Sequence, residues 1–241
     1  MTPLDPSALD LSESAAQEPA GDVALGPGAV LLGGFALASD RALLAALADV
    51  LRTSPFRRML TPGGSAMSVA MTNCGEAGWV TDRRGYRYDA IDPASRRPWP
   101  AMPPAFAGLA TRAAERAGFP AFIPDACLIN RYAPGARLSL HQDKDEQDFG
   151  APIVSVSLGL PAAFLWGGLL RSDRTRRVCL VHGDVVAWGG PARMAFHGVD
   201  TLQGGRHPLT GAIRYNLTFR RALWPLQGAA MAPSSIINKI G

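Results

Sequence analysis

The sequence has little cysteine and no long apolar segment. Cys74, Cys127 and Cys179 are odd in number, widely spaced and without a Cys-x-x-Cys pair. This pattern argues against a disulfide framework or a zinc knuckle and indicates a reducing compartment. The most apolar early stretch, residues 28–38, is short, is interrupted by glycines and follows no positively charged segment. We therefore expect a cytoplasmic protein that is neither secreted nor inserted in a membrane.

Basic residues are missing from the N-terminus. The 24 basic and 20 acidic residues give a net charge of +4. Residues 1–22 contain five acidic and no basic side chains, so removing them leaves +9 on the remainder. A basic body favours a polyanionic partner such as nucleic acid, although many basic proteins bind none. We predict that residues 1–22 form a disordered acidic leader; shielding of a basic face is the alternative.

The length and the 47% of apolar residues favour one large domain, residues 23–223, over two small ones, followed by a tail, 224–241, without an assigned role. Apolar residues at helical spacing predict a helix that begins after Ser39, its expected N-cap, and ends before Pro55. A second helix is predicted from Pro103 to a stop at Gly118. Between these helices, residues 52–100 contain more turn signals than periodic ones.

The second half is rich in short β-type segments separated by Gly, Pro and Asp. They lie at residues 153–158, 163–166, 177–181, 184–188 and 213–219. This spacing is typical of an antiparallel sandwich or barrel. We predict a mainly β fold with flanking helices (α+β), whose core, residues 125–222, is a double-stranded β-helix of the jelly-roll, cupin-like type. Two facing sheets would create a cavity where side chains from distant strands converge.

The segment His141-Gln142-Asp143 and the distant His197 carry the most specific chemistry. Two imidazoles and one carboxylate on one face of an octahedral metal leave the other face open, which is the ligand set of a non-haem Fe(II) oxygenase. His141 and Asp143 would leave the same face of one strand, and His197 would come from another. Arg214 and Arg220, six apart on one strand face, could pair with a dicarboxylate such as 2-oxoglutarate. A chance His-x-Asp pair in a loop and two solvated arginines are the alternatives.

Longer segments closely resemble the AlkB family of Fe(II)/2-oxoglutarate oxygenases. They are residues 67–75, 130–135, 138–146, 183–186 and 214–220, and the resemblance covers roughly residues 23–222. It implies oxidative dealkylation of N-alkylated bases such as 1-methyladenine and 3-methylcytosine, with Fe(II), 2-oxoglutarate and dioxygen as cofactors and succinate, carbon dioxide and formaldehyde as products. The implied partner is alkylated DNA, preferably single-stranded, with double-stranded DNA or RNA as alternatives. Nothing indicates more than a monomer.

The resemblance also implies roles for individual residues around the metal. The catalytic metal ligands would be His141, Asp143 and His197. Arg214 would anchor the distal carboxylate of 2-oxoglutarate, and Arg220 would lie near its metal-bound end. Neutral hydrogen bonds from three further residues would complete that pocket: Asn130, Tyr132 and Asn216. The alternative for these three is an ordinary structural role in turns and strands.

On the substrate side, the resemblance makes Trp79 the stacking face for the damaged base and Asp145 the carboxylate near its exocyclic amine. A core tryptophan and a turn-forming acid are the alternatives. Residues 81–88 are predicted to form a hairpin within a nucleotide-recognition lid, residues 52–100. Four residues would contact the nucleic-acid backbone: Tyr86, Arg87, Tyr88 and Arg171. A solvated basic hairpin is the competing interpretation.

Two other functions remain open from the sequence. The first is a 2-oxoglutarate-dependent hydroxylase that acts on a protein or a small metabolite. The second is a non-catalytic nucleic-acid binder that has kept the fold. The two remaining histidines, His182 and His207, are interpreted as structural.

Overall fold

The computed structural model describes residues 21–223, so the predicted tail and all but the last two residues of the predicted leader lie outside the described residues. This range contains two α-helices, α1 (Asp40–Thr53) and α2 (Pro104–Arg116), and two short 3-10 helices, Leu37–Ser39 and Gly190–Ala192. It also contains thirteen strands: β1 (Val23–Gly26), β2 (Ala29–Leu32), β3 (Ala70–Gly75), β4 (Gly78–Asp82), β5 (Gly85–Asp89), β6 (Ala126–Tyr132), β7 (Leu138–His141), β8 (Ile153–Gly159), β9 (Ala162–Trp166), β10 (Arg176–Leu180), β11 (Val185–Trp188), β12 (His197–Val199) and β13 (Arg214–Arg220).

The strands form two facing sheets and a separate hairpin. The large sheet has the order β1-β2-β11-β8-β13-β6-β3, the small sheet has the order β10-β9-β12-β7, and β4 pairs with β5. Neighbouring strands in all three are antiparallel. An apolar cluster that includes Phe164 and Trp166 of the small sheet and Trp188 of the large sheet occupies part of the space between the two sheets. The predicted mainly β fold with a jelly-roll core is confirmed.

The large sheet separates a polar interior from a helix-covered apolar face. On β13, the even-numbered residues from Arg214 to Arg220 are polar and buried, whereas Leu217 and Phe219 join the cluster that packs against the helices. Successive side chains of a strand point to opposite faces, so this alternation directs both arginines into the space between the sheets. The same strand therefore supports the core on one side and a site on the other.

Both helices lie where the sequence predicts them. Leu43 and Leu47 of α1 and Phe106 of α2 pack on the outer face of the large sheet. Pro104 occupies the first turn of α2, where its missing N–H is not needed. The predicted capping by Ser39 is wrong in one respect: Ser39 is at the N-cap position, but its side chain makes no capping hydrogen bond. Neither helix is of a length and apolar character that would let it cross a membrane, within the described part of the chain.

The five predicted β-rich segments correspond to β8, β9, β10, β11 and β13. The predicted hairpin is also present, as β4 and β5. However, the segment 52–100 is not separate from the core, because β3 pairs with β6 at the edge of the large sheet. Gly75 ends β3, and the hairpin follows three residues later. The hairpin is thus attached directly to a core strand.

Candidate metal centre

Three potential metal ligands meet at one end of the small sheet. His141 is the last residue of β7, His197 is the first residue of β12, and the two residues are directly paired. Nε2 of His141 lies 3.6 Å from Oδ1 of Asp143, and Nε2 of His197 lies 3.8 Å from Oδ2. One donor atom from each residue falls within 4.8 Å of the other two, which is close enough to hold one metal ion.

The strand expected to carry both His141 and Asp143 ends at His141. Asp143 lies beyond it, in an irregular loop, so strand alternation does not orient its carboxylate. Hydrogen bonds do so instead: Nε and Nη2 of Arg220 donate to Oδ2 of Asp143 at 2.9 and 2.6 Å. The sequence therefore predicts the right ligand, and the structure corrects the reason for its orientation.

Both histidines present Nε2 to the centre. Nδ1 of His141 lies 2.9 Å from the carbonyl oxygen of Ser139, and Nδ1 of His197 lies 3.0 Å from that of Ala195. A proton on each Nδ1 would donate to these carbonyls and leave the Nε2 lone pair for a metal. Burial, with the nearby charge of His141, lowers the pKa of His197 to about 4. His197 is therefore neutral at physiological pH, as a metal ligand must be.

Asp143 is buried and ionised. Burial alone would raise its pKa, but the charge of Arg220, the two imidazoles and the hydrogen bonds from Arg220 outweigh it and hold the pKa well below its usual range. Burial would likewise lower the pKa of Arg220, and the surrounding carboxylates raise it overall. The carboxylate and the guanidinium are therefore both charged.

Two charged residues missed from the sequence adjoin this pair. Glu146 accepts from Nη2 of Arg193 at 3.0 Å, and its other oxygen lies 3.1 Å from Nε of Arg220. Glu146 lies within a segment that resembles the AlkB family, three residues after Asp143, and this proximity was the available signal. Nothing in the sequence around Arg193 indicates its place.

The metal ligands open into a cavity of about 780 Å³ between the sheets. All five predicted cofactor-binding residues line it: Asn130, Tyr132, Arg214, Asn216 and Arg220. Arg214 is 1% exposed and is fixed by donation from Nη2 to Oγ of Ser157 (2.8 Å) and from Nη1 to the carbonyl of Leu160 (3.3 Å). The guanidinium therefore has one defined orientation.

Several buried polar atoms of the cavity wall have no partner within residues 21–223. Nε1 of Trp188 is one of them, and the other four belong to predicted cofactor-binding residues: the Tyr132 hydroxyl, Nε of Arg214, Nη1 of Arg220 and Oδ1 of Asn130. Unpaired buried polar groups are costly, so such a set indicates a ligand. Burial raises the pKa of Tyr132 despite the opposing charge of Arg214, so the hydroxyl stays protonated. The three donors on Tyr132, Arg214 and Arg220, two of them on cations, fit a small dicarboxylate such as 2-oxoglutarate.

Four of the six residues predicted to bind substrate line the same cavity: Trp79, Tyr86, Asp145 and Arg171. The rings of Trp79 and Tyr86 stack at 5.6 Å, and Nε1 of Trp79 donates to Oδ2 of Asp145 at 2.8 Å. Arg171 is exposed, donates to the carbonyl of Leu140 and lies over the ring of Phe196. These contacts place an aromatic face and a carboxylate together near the metal ligands.

The other two predicted substrate residues are not among those that line the cavity. Arg87 is held within the hairpin by Asp82 and Asp89, and its hydrogen bonds, together with those of Arg84, lower the pKa of Asp82. The hydroxyl of Tyr88 turns inward and donates to Glu146 at 2.8 Å. Of the three hairpin residues predicted to contact nucleic acid, Tyr86 therefore lines the cavity, and Arg87 and Tyr88 do not.

The two remaining histidines have structural partners. Nε2 of His182 lies 3.0 Å from Oδ2 of Asp40, and its Nδ1 accepts from the backbone N–H of Gly159. The ring of His207 stacks on that of His182 at 4.3 Å. These contacts join α1 to the loops beside β8 and β11, in agreement with the structural role predicted for both.

A family model of the 2OG-Fe(II) oxygenase superfamily matches residues 28–220. The alpha-ketoglutarate-dependent dioxygenase AlkB of Escherichia coli K12 is 61% identical over 198 residues, which cover 82% of this chain and 92% of that protein. The chain belongs to the AlkB family of 2OG-Fe(II) oxygenases. The AlkB protein of Salmonella typhimurium is 58% identical over 216 residues, or 89% of this chain and 98% of that one.

A solved relative agrees with this family assignment. The structure of OsALKBH1 has a TM-score of 0.73 and 30% sequence identity, with 83% of this chain and 100% of that one covered. The predicted cofactors of this AlkB-family chain, Fe(II), 2-oxoglutarate and dioxygen, are confirmed by its family. The triad of His141, Asp143 and His197 is the group of donors that fits the metal.

Proposed function

We propose that this chain repairs N-alkylated nucleic-acid bases by oxidative dealkylation. One observation carries the proposal: a single cavity is lined by the metal-binding triad, by the unpaired donors around Arg214, and by the Trp79–Asp145 pair. A reaction that joins a metal, a dicarboxylate co-substrate and a flat organic substrate needs these three surfaces in contact.

The first two surfaces hold the cofactors. His141, Asp143 and His197 bind the iron, whereas Arg214 and Tyr132 bind the distal carboxylate of 2-oxoglutarate. When bound, Fe(II), 2-oxoglutarate and dioxygen together supply the oxidant that hydroxylates a C–H bond, with release of succinate and carbon dioxide. The side chains themselves position these groups, and the buried walls of the cavity exclude water from the reacting carbon.

The third surface suits a methylated base. A methyl group on a pairing-edge ring nitrogen, as in 1-methyladenine or 3-methylcytosine, gives the base a positive charge and prevents normal pairing, so the base is easier to extrude. Trp79 offers an aromatic face to this cation, and Asp145 offers a carboxylate to its exocyclic amine. Hydroxylation of the N-methyl carbon gives a hemiaminal, which breaks its C–N bond to release formaldehyde and the intact base.

Single-stranded DNA is the preferred partner in this proposal, because its bases need no unpairing before they enter the cavity. Double-stranded DNA and RNA are further substrates. The +9 charge on the residues after the acidic leader, together with Tyr86 and Arg171 at the cavity, supports a polyanionic partner. The proposed active form is a cytoplasmic monomer.

One assay tests the proposal against its alternative. The protein is loaded anaerobically with Fe(II) and 2-oxoglutarate, exposed to dioxygen, and assayed for succinate and formaldehyde with and without an oligonucleotide that contains 1-methyladenine. We expect the oligonucleotide to stimulate both products in equal amounts. Succinate formation that ignores the oligonucleotide would instead favour a hydroxylase of proteins or small metabolites. Absence of iron binding and of turnover would favour a non-catalytic nucleic-acid binder.

A further inference from the structure

A buried cluster of charges lies beside the metal ligands. It consists of Asp143, Glu146, Arg193 and Arg220, together with the hydroxyl of Tyr88, and we call it the charged cluster. The four charged residues are each no more than 8% exposed. Two carboxylates and two guanidinium groups balance in charge, so the cluster can remain ionised inside the protein.

Glu146 is the centre of the charged cluster. One carboxylate oxygen accepts from the Tyr88 hydroxyl at 2.8 Å and lies 3.1 Å from Nε of Arg220. The other oxygen accepts from Nη2 of Arg193 at 3.0 Å. Both oxygens are therefore engaged, and Glu146 fixes one edge of the Arg220 guanidinium. That same edge binds Asp143. Nη1 of Arg220 has no partner within the described residues, and Arg220 is one of the residues that line the cavity.

Arg193 fixes the backbone that carries the metal ligand. Its Nη1 donates to the carbonyl oxygen of Asp143 at 2.8 Å, and its Nε donates to that of Ala151 at 3.2 Å. Its guanidinium also lies over the ring of Phe149, 5.2 Å from the centroid. Arg193 therefore contacts the irregular loop after β7 at these three points. These contacts fix the loop, whose backbone is not paired as a strand at Asp143.

We propose that Glu146, Arg193 and Tyr88 are positioning residues for the metal centre. They act through Arg220 and the loop backbone to hold the Asp143 carboxylate in its binding orientation. Tyr88 belongs to β5, so its hydroxyl also connects the hairpin that carries Tyr86 to an iron ligand. The inference rests on the proposed function only in taking the triad as the iron site, because its test requires no nucleic acid.

A role in stability alone would not explain the charged cluster well. Buried ion pairs pay a large desolvation cost, and well-packed apolar side chains are often as stable in their place. Hydrogen-bonded partners of metal ligands, in contrast, orient the ligands and tune their affinity. The bonds described above converge on Asp143 through its side chain and its backbone, which is the arrangement that orientation requires.

The test is the affinity of the full-length, metal-free protein for Co(II), measured by the visible absorption of the bound ion. Glu146→Gln keeps the shape of the side chain and removes its charge, which leaves Arg193 and Arg220 facing one carboxylate. We expect Co(II) affinity to fall about 10- to 100-fold, the usual cost of removing such a partner. Glu115→Gln, the same change at an exposed position of α2, should leave the affinity unchanged.

Tyr88→Phe is the second variant, because it removes only a hydroxyl and preserves the ring. We expect Co(II) affinity to fall about two- to fivefold, in keeping with the removal of one hydrogen bond at a distance from the metal. In both variants the KM for 2-oxoglutarate should rise more than the KM for the oligonucleotide, because Arg220 lines the cavity and its Nη1 has no partner within the described residues.

The outcomes separate positioning from stability. If the folded Glu146→Gln and Tyr88→Phe proteins bind Co(II) as tightly as the Glu115→Gln control, the proposal is overturned, whatever their melting temperatures. The same conclusion follows if Glu146→Gln does not fold and Tyr88→Phe binds normally. Loss of Co(II) affinity supports the proposal even if the wild-type protein has no activity on methylated DNA, so the two failures remain distinguishable.

Discussion

The two arginines of β13 have the same chemistry and different surroundings. Arg220 is paired with carboxylates, which neutralise it and hold one edge of its guanidinium. Within residues 21–223, Arg214 is bonded only to neutral oxygens, of Ser157 and Leu160, and burial lowers its pKa. An arginine remains charged under these conditions, so Arg214 carries a buried positive charge that needs an anion. This difference supports the proposal that Arg214 binds the dicarboxylate, whereas Arg220 is held by the metal ligand Asp143.

Arg214→Lys tests this assignment. A lysine ammonium cannot bond to Ser157 and Leu160 and also present a fixed donor to the cavity, because it lacks the planar fork of arginine. Loss of a charge-assisted hydrogen bond of about 2–3 kcal/mol should raise the KM for 2-oxoglutarate by about 30- to 150-fold. Steady-state kinetics should show little change in the KM for the oligonucleotide. Equal increases in both KM values would contradict the assignment.

In the metal-free protein, the free energy of unfolding should depend on pH through His197. Its pKa is about 4 in the folded state and about 6.5 when unfolded, so between these values the unfolded chain binds a proton that the folded chain does not. The free energy of unfolding should therefore fall by about 2 kcal/mol from pH 7 to pH 5 through this residue. Urea denaturation of the wild-type protein and of His197→Gln at several pH values measures this fall. The free energy of unfolding should fall less with pH in the variant, and an equal fall in both proteins would contradict the prediction.

At the scale of elements, segments with clear periodicity were predictable. The two helices and the strands of the second half follow from apolar spacing and from the Gly and Pro residues between them. β3 was not predicted as a core strand. Its residues, Ala70–Gly75, include four polar or small ones, Ala70, Thr72, Asn73 and Gly75, which weaken a β pattern, and the strand forms by pairing with β6. Such tertiary pairing overrides local preference and leaves no local signal.

The site divides in the same way. The metal triad and the arginines of β13 were predictable because their spacing and order are specific. Glu146 and Arg193 were missed, since 47 positions separate them and each would be a common surface residue in isolation. The sequence predicts that Tyr88 contacts nucleic acid because it lies beside Arg87 in a basic hairpin, whereas in the folded protein its hydroxyl turns inward to Glu146.

The joint between β3 and the hairpin depends on a glycine. Gly75 has φ +118°, and a Cβ there would lie 2.3 Å from the carbonyl oxygen of Asp125. Gly64 also has a positive φ, +85°, but its surroundings are open. Gly64→Ala should cost about 1–2 kcal/mol of unfolding free energy from backbone strain alone. Gly75→Ala should cost about 3 kcal/mol or more, because strain and overpacking combine.

Denaturant unfolding of the two metal-free alanine variants compares these costs directly. Gly64→Ala is the matched control because both glycines have a positive φ. The additional loss of stability in Gly75→Ala therefore measures the cost of the close approach to Asp125. Gly75→Ala should also lower oligonucleotide turnover more than Co(II) binding, because the hairpin would shift while the triad remains. Equal stability losses in both variants would show that the close approach to Asp125 is relieved at little cost.

At the scale of the whole molecule, the two faces of the large sheet differ in what they offer a polymer. Its outer face is covered by α1 and α2, whereas Tyr86 of the hairpin and Arg171 of the loop before β10 line the cavity that contains the triad. Arg171 belongs to that loop and is exposed at the cavity, whereas Arg112 is exposed on α2. These two arginines have the same charge and different locations. Comparing their glutamine variants therefore distinguishes nucleic-acid binding at the cavity from a general attraction to the protein's net positive charge.

Salt dependence tests this separation. Binding of a single-stranded oligonucleotide releases counterions, and the slope of log affinity against log salt concentration changes by about 0.7 for each phosphate that the protein no longer neutralises. Arg171→Gln should reduce the slope by about this amount and weaken binding at low salt, without altering the affinity for Co(II). Arg112→Gln removes the same charge on the opposite side and should leave the slope at its wild-type value. An equal reduction of the slope in both variants would show that binding depends on the net charge of the protein and not on the position of Arg171 at the cavity.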